Sequence, residues 1–112
     1  MKPPHKYRAK AVDLDGIRFP SKREAKRWAE LQLLERAGEI AQLRRQVPIA
    51  MEGQTGPILT PTGRKAKYVA DFSYVDTKSG AWVIEDAKGF QTEAYKLKRA
   101  ILAAMGVHIR EV

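Results

Sequence analysis

Asp71, Asp86 and Lys88 are the residues whose types and spacing could do chemistry. Asp86 and Lys88 close the run Ala81-Trp82-Val83-Ile84-Glu85-Asp86-Ala87-Lys88-Gly89, which begins apolar and ends charged. The run reads as a strand, and residues two apart in a strand share a face. Trp82, Ile84, Asp86 and Lys88 then point one way, and Ala81, Val83, Glu85 and Ala87 the other. Both rows start apolar, so cover is expected on both faces. A charge there costs on the order of several kcal/mol unless it is paired or binds metal. Asp71 lies in Ala66-Lys67-Tyr68-Val69-Ala70-Asp71-Phe72-Ser73-Tyr74-Val75, a second strand by its aromatic and β-branched content. The connection Asp76-Thr77-Lys78-Ser79-Gly80 is of hairpin length. Antiparallel pairing would bring Asp71 close to Asp86, with Lys88 beside them. Two carboxylates can hold a hard cation, Mg2+ or Mn2+, through oxygen. Such a cation polarises phosphate and lowers the pKa of bound water, while the ammonium orients that water or offsets developing charge. This is the equipment of metal-assisted phosphodiester hydrolysis.

The plainer alternative for Asp86 and Lys88 is an ion pair at the end of a strand, worth about 0–1 kcal/mol if exposed. Asp71 facing them weighs against it, because two carboxylates and one cation leave a negative excess. Glu85, on the other face, is expected to pair with a Lys or Arg there or to sit at a strand end in water.

The elements that must position these groups follow from local patterns. Asp15-Gly16 between Ala11–Leu14 and Ile17–Phe19 signals a two-residue hairpin. Ser21 with Glu24 forms a capping box that opens a helix running to about Ala37, with Gly38 as its stop. Ala25, Ala29, Leu33 and Ala37 form one apolar row of that helix, and Glu24, Trp28 and Leu31 lie on another. Glu24 is therefore either a cap or a carboxylate entering the site; spacing alone favours the cap. A strand is predicted over Gln46–Met51, near an edge or a bulge because of Pro48. Residues 52–65 read as a long loop or irregular hairpin tip. A second helix, from about Thr92 to Met105, shows the stripe Ala94, Leu97, Ile101, Ala104 and Met105, with Tyr95, Lys96, Lys98 and Arg99 off it. Val107–Val112 alternates as a final strand, which the crossing helix can set parallel to the Trp82 strand.

The chain has 112 residues and a net charge of +8, which fits one domain and suggests a polyanionic partner, nucleic acid first. Residues 1–10 read as a basic arm and 11–112 as a single domain. With no Cys, disulfides, thiolate zinc sites and Cys nucleophiles are excluded. No apolar run is long enough for a membrane span and the start does not read as a signal peptide, so a cytoplasmic protein is expected. Candidate phosphate contacts are Arg8, Lys10, Arg64, Lys65, Lys67, Lys96, Lys98 and Arg99. Each cluster is also readable as a solvated tail, loop or helix face.

The order helix-strand-strand-strand-helix-strand, with an Asp on the second strand and Asp86-Ala87-Lys88 on the third, resembles the PD-(D/E)XK nuclease superfamily. More closely, Ser21–Ala25, Ala37–Ile40, Tyr68-Val69-Ala70-Asp71-Phe72 and Glu85-Asp86-Ala87-Lys88-Gly89-Phe90 look like a family of small phage-encoded endonucleases, long catalogued as a domain of unknown function. That family is similar to phage junction-resolving endonucleases. The residue before Asp71 is Ala70, where the superfamily's name has Pro. The resemblance implies an α/β (α+β) fold with a restriction-endonuclease-like core, a mixed sheet flanked by helices, after an N-terminal hairpin. It implies Asp71, Asp86 and Glu24 as metal carboxylates for Mg2+ or Mn2+, and Lys88 as the catalytic lysine. Gln46 and Gln91 would be accessories, and Gln91 with Tyr95 resembles a Gln-xxx-Tyr element of some members. The implied activity is a DNA endonuclease, structure-selective for branched or junction DNA (a Holliday junction) in phage recombination or processing. A homodimer would suit the cutting of two strands. The alternatives are a non-catalytic nucleic-acid-binding module on the same fold, and a structural protein whose acidic pair serves stability.

Overall fold

The computed structural model describes residues 10–87 and 89–112; Arg8, most of the basic arm and Lys88 lie outside the described residues. The chain enters through β1 (Val12–Leu14) and β2 (Ile17–Phe19), joined by Asp15 at φ 51° and Gly16 at φ 76°. Two consecutive left-handed residues are what the expected two-residue hairpin requires. Helix α1 (Lys22–Arg36) follows, and its Ser21 cap accepts the Glu24 N–H at 3.1 Å.

A four-stranded sheet holds the middle of the chain: β3 (Ile40–Ala50), β6 (Lys67–Asp76), β7 (Trp82–Asp86) and β8 (Ile109–Glu111), side by side in that order. Between β3 and β6 a small hairpin, β4 (Glu52–Gly53) and β5 (Gly56–Pro57), occupies the irregular stretch expected there. The β3/β6 and β6/β7 pairs are antiparallel; β7/β8 is parallel, because α2 (Glu93–Ala104) makes the crossover. The architecture is thus mixed α and β, with an N-terminal hairpin, a mixed sheet and two helices.

Adjacent residues of β7 enter different apolar clusters, so the helices cover opposite faces of the sheet. Ile84 packs with Tyr95 and Leu102 of α2, and Val83 against the cluster of Leu31 from α1. Strict alternation would keep Tyr68, Ala70, Phe72 and Tyr74 of β6 on one face. Instead Tyr68 and Ala70 pack towards α2, and Phe72 and Tyr74 towards α1. The change-over falls at Asp71.

Three expectations are corrected. Strand β3 begins at Ile40 rather than Gln46. Gln42 (φ 55°) and Gln46 (φ 51°) take left-handed backbone and the register slips between Ala41 and Arg44, so alternation is interrupted just where a strand would show it. On α2 the buried residues are Tyr95 and Leu102; Ile101 and Met105 of the expected stripe pack against the same cluster, while Leu97 is 64% exposed and Ala94 and Ala104 face solvent. The helix is turned by about one position from the apolar stripe. Tyr95 takes the inward place because its ring packs at 6.0 Å from Tyr68 while its hydroxyl finds Glu111. On α1 the row through Leu33 runs out to solvent, and Leu31 is the buried leucine.

Candidate active site

Two neighbouring rungs of the sheet carry nearly all its buried charge. The first runs Arg45, Phe72, Glu85, Arg110 across β3, β6, β7 and β8. The second lies one residue along. Arg45 pairs with Phe72 and Val47 with Ala70, which sets Gln46 opposite Asp71. One step beyond the Phe72–Glu85 pair sets Asp71 opposite Asp86, and Asp86 pairs with Glu111. The second rung is therefore Gln46, Asp71, Asp86, Glu111.

At this second rung β7 ends, and side chains take over from the ladder. The Asp71 N–H donates to Asp86 Oδ1 at 2.8 Å, and the Ala87 N–H donates to Asp71 Oδ2 at 2.8 Å. The Tyr68 hydroxyl donates to Asp86 Oδ2. Asp86 is fully buried and Asp71 is 9% exposed. The expected proximity of Asp71 and Asp86 is thus built, with both carboxylates aimed by backbone N–H groups.

Glu24 stands on the first turn of α1 and is 3% exposed. Its Oε2 accepts from Gln46 Nε2 at 3.4 Å and lies 3.6 Å from Arg45 Nη2. The carboxylate therefore reaches β3, and its backbone N–H meets the Ser21 cap. Arg45 is fixed in turn by its guanidinium lying 4.4 Å over the Phe19 ring and 5.7 Å from that of Trp28. Gln46 holds its position with a left-handed backbone that costs a non-glycine residue about 1 kcal/mol.

Gln91 and Tyr95 meet at Glu111. Its Oε2 accepts from Gln91 Nε2 at 2.7 Å, from the Tyr95 hydroxyl at 2.9 Å and from the Arg99 guanidinium. Burial pushes the Glu111 carboxyl up, but the hydrogen bonds from Arg99 and Tyr95 outweigh it and hold the group below its usual range. Tyr95 is pushed well above the ordinary tyrosine value, first by burial and then by Glu111.

Glu85 faces the other way and is fully buried. Arg27 grips it with Nε at 2.8 Å and Nη2 at 2.7 Å, the Tyr74 hydroxyl donates to it, and Arg110 stands 3.9 Å away. The expected cationic partner is thus Arg27, whose own pKa the Glu85 hydrogen bond raises.

Among the phosphate candidates, Lys10, Arg64, Lys65, Lys67, Lys96 and Lys98 are exposed. Lys96 lies 3.5 Å from Glu93, and Arg99 is committed to Glu111. Lys88 and Arg8 lie outside the described residues.

Glu24 and the aspartates are not gathered as one ligand set: among the described residues no group of three or more His, Cys, Asp or Glu could hold a metal ion. The residues that could hold a metal are the pair. Two adjacent carboxylates suit a hard divalent cation that keeps several waters and takes phosphate oxygens as further ligands.

Tyr68, Arg45 and Glu111 escaped sequence reasoning. Tyr68 is three residues from Asp71, an odd separation that regular alternation sends to the opposite face from Asp71 and Asp86; only the change-over in β6 reunites them. Glu111 was within reach, because pairing the final strand parallel to β7 through Ile84 and Ile109 places it beside Asp86.

No curated protein and no solved structure matches this chain. A family model does match, along residues 4–111, and the chain belongs to that family, described as "Protein of unknown function (DUF1064)".

Proposed function

We propose that this protein is a Mg2+- or Mn2+-dependent endodeoxyribonuclease on a restriction-endonuclease-like core. The observation that carries the reading is the buried Asp71–Asp86 pair at the point where β7 ends. Burying two carboxylates side by side works against folding, by several kcal/mol per ion before compensation. Two carboxylates set side by side by backbone N–H groups form a pair of oxygen donors suited to a hard cation.

In this reading Asp71 and Asp86 hold the cation, which supplies polarisation of the phosphate and activation of water. Glu24, on the α1 side and held by Gln46 and Arg45, stays outside the ligand pair and orders Gln46, the residue opposite Asp71. Lys88, two residues after Asp86, orients the nucleophilic water or offsets charge on the phosphate. The exposed cations Lys10, Arg64, Lys65, Lys67, Lys96 and Lys98 bind the DNA backbone without reading its sequence. If about six phosphates are contacted, log affinity falls with log salt at a slope near −5. A homodimer would present one site to each strand of a junction.

The deciding experiment incubates the protein with supercoiled plasmid and with a four-way junction, in Mg2+, Mn2+ or EDTA, beside Asp86→Ala. Metal-dependent cutting that disappears in the variant is expected, with preference for the junction. Intact DNA binding without cutting in either protein would mark a non-catalytic nucleic-acid-binding module instead.

A further inference from the structure

We infer that Tyr68 is a positioning residue for Asp86, holding its carboxylate in the orientation in which Asp71 and Asp86 together take a divalent cation. The inference rests on the nuclease reading of that pair.

Tyr68 is 6% exposed, and its hydroxyl donates to Asp86 Oδ2 while the Asp71 N–H donates to Oδ1. One donor on each oxygen fixes the plane of the carboxylate. The tyrosine is itself held. Its ring packs 6.0 Å from that of Tyr95, whose hydroxyl is on Glu111, and Glu111 is the β8 partner of Asp86. The path from Asp86 through both tyrosines returns to the same rung. A tilt of the Asp86 carboxylate must therefore disturb packing between β6, α2 and β8, which makes the orientation stiff before any cation arrives.

The molecule contains a built-in control. Tyr74 lies on the same strand, is 4% exposed, and donates its hydroxyl to Glu85. Glu85 is gripped by Arg27. The two tyrosines offer the same chemical truncation beside two different carboxylates.

The test compares Tyr68→Phe with Tyr74→Phe. Mn2+ binding is read by electron paramagnetic resonance without DNA, cleavage by plasmid kinetics, and folding by melting in EDTA. Tyr68→Phe should weaken Mn2+ binding by about tenfold and lower kcat comparably with KM unchanged, the usual size for loss of a partner that orients a metal ligand. Tyr74→Phe should lower the melting temperature and leave Mn2+ binding alone. Mn2+ binding by Tyr68→Phe within about twofold of wild type, well short of that range, would overturn the inference. A double variant covers the case in which Tyr68→Phe folds poorly. With Asp86→Asn in place, adding Tyr68→Phe should change residual Mn2+ binding no further, because the hydroxyl acts only through that carboxylate. A further loss would refute the positioning role. Wild-type protein that binds DNA but no Mn2+ sinks the nuclease reading and this inference together. Wild type that binds Mn2+ and cuts, beside a Tyr68→Phe that does the same, sinks only this one.

Discussion

Glu85 and Asp86 are consecutive in sequence and both fully buried, yet the sheet turns them to opposite faces and treats them differently. On the Glu85 face the rung closes on itself: the Arg27 fork takes both carboxylate oxygens, Tyr74 adds a hydroxyl, and Arg110 stands behind. On the Asp86 face a hydroxyl and a backbone N–H aim the group, and the neighbour across the strands is another carboxylate, Asp71. The contrast separates two uses of buried charge. A carboxylate matched by a bidentate guanidinium is part of the scaffold, stabilising mainly in that breaking it is costly. A carboxylate aimed beside a second one is, in the proposed reading, the half of the contrast that would serve a cation. Sequence position does not distinguish the two; strand parity and the partner on α1 do.

The sharpest way to break this comparison is Asp86→Ala. If that face is the working one, plasmid cleavage falls by at least ~10^3-fold, about 4 kcal/mol in activation free energy, while DNA binding in EDTA persists. Retained cleavage would reverse the assignment of the two faces. Next in size is Arg27→Ala, which leaves Glu85 buried without its fork. A loss of about 3–5 kcal/mol in urea unfolding is expected, with residual cleavage tracking the folded fraction. A stable variant lacking activity would mean that the Glu85 rung does more than support.

A pH scan sharpens the same contrast at smaller amplitude. Tyr74 is raised above its ordinary value of 10.0, first by burial and then by its hydrogen bond to Glu85. A folded pKa above the unfolded one gives stability that is complete below the unfolded value and lost as pH rises through the folded one. The melting temperature should therefore fall once pH passes about 10, and Tyr74→Phe should flatten that limb. An unchanged limb in the variant would remove Tyr74 as its source. The smallest effect belongs to Ser21→Ala. Helix α1 carries both Glu24 and Arg27, so loss of the cap should cost about 1 kcal/mol by urea unfolding without favouring either face.

Much of this arrangement was legible in the sequence. The hairpin-length link between Val75 and Ala81 made Asp71 and Asp86 neighbours, and the crossing helix made β8 parallel to β7. Parity sent Glu85 away from Asp86, either to a Lys or Arg or to a strand end in water, and the structure supplies Arg27. What stayed hidden has physical causes. Left-handed backbone at Gln42 and Gln46 leaves no mark in side-chain type, so β3 looked half its length. Tyr95 reads as polar by its hydroxyl and apolar by its ring, so the stripe of α2 was placed one position off. Tyr68 joined the site through a change of face in β6 that no periodic rule anticipates. The family kinship names no activity, so the chemistry rests on the residues themselves.

The irregularity of β3 has a consequence away from the site. This strand is one edge of the sheet and runs for 11 residues, long enough to template a strand from another molecule. Gln42 and Gln46 in left-handed conformation, with Pro48 lacking an N–H, break the row of backbone groups that such a strand would need. The backbone twist that places Gln46 beside Glu24 thus also guards the free chain against edge-to-edge aggregation, so smoothing β3 would be expected to endanger solubility as well as the site.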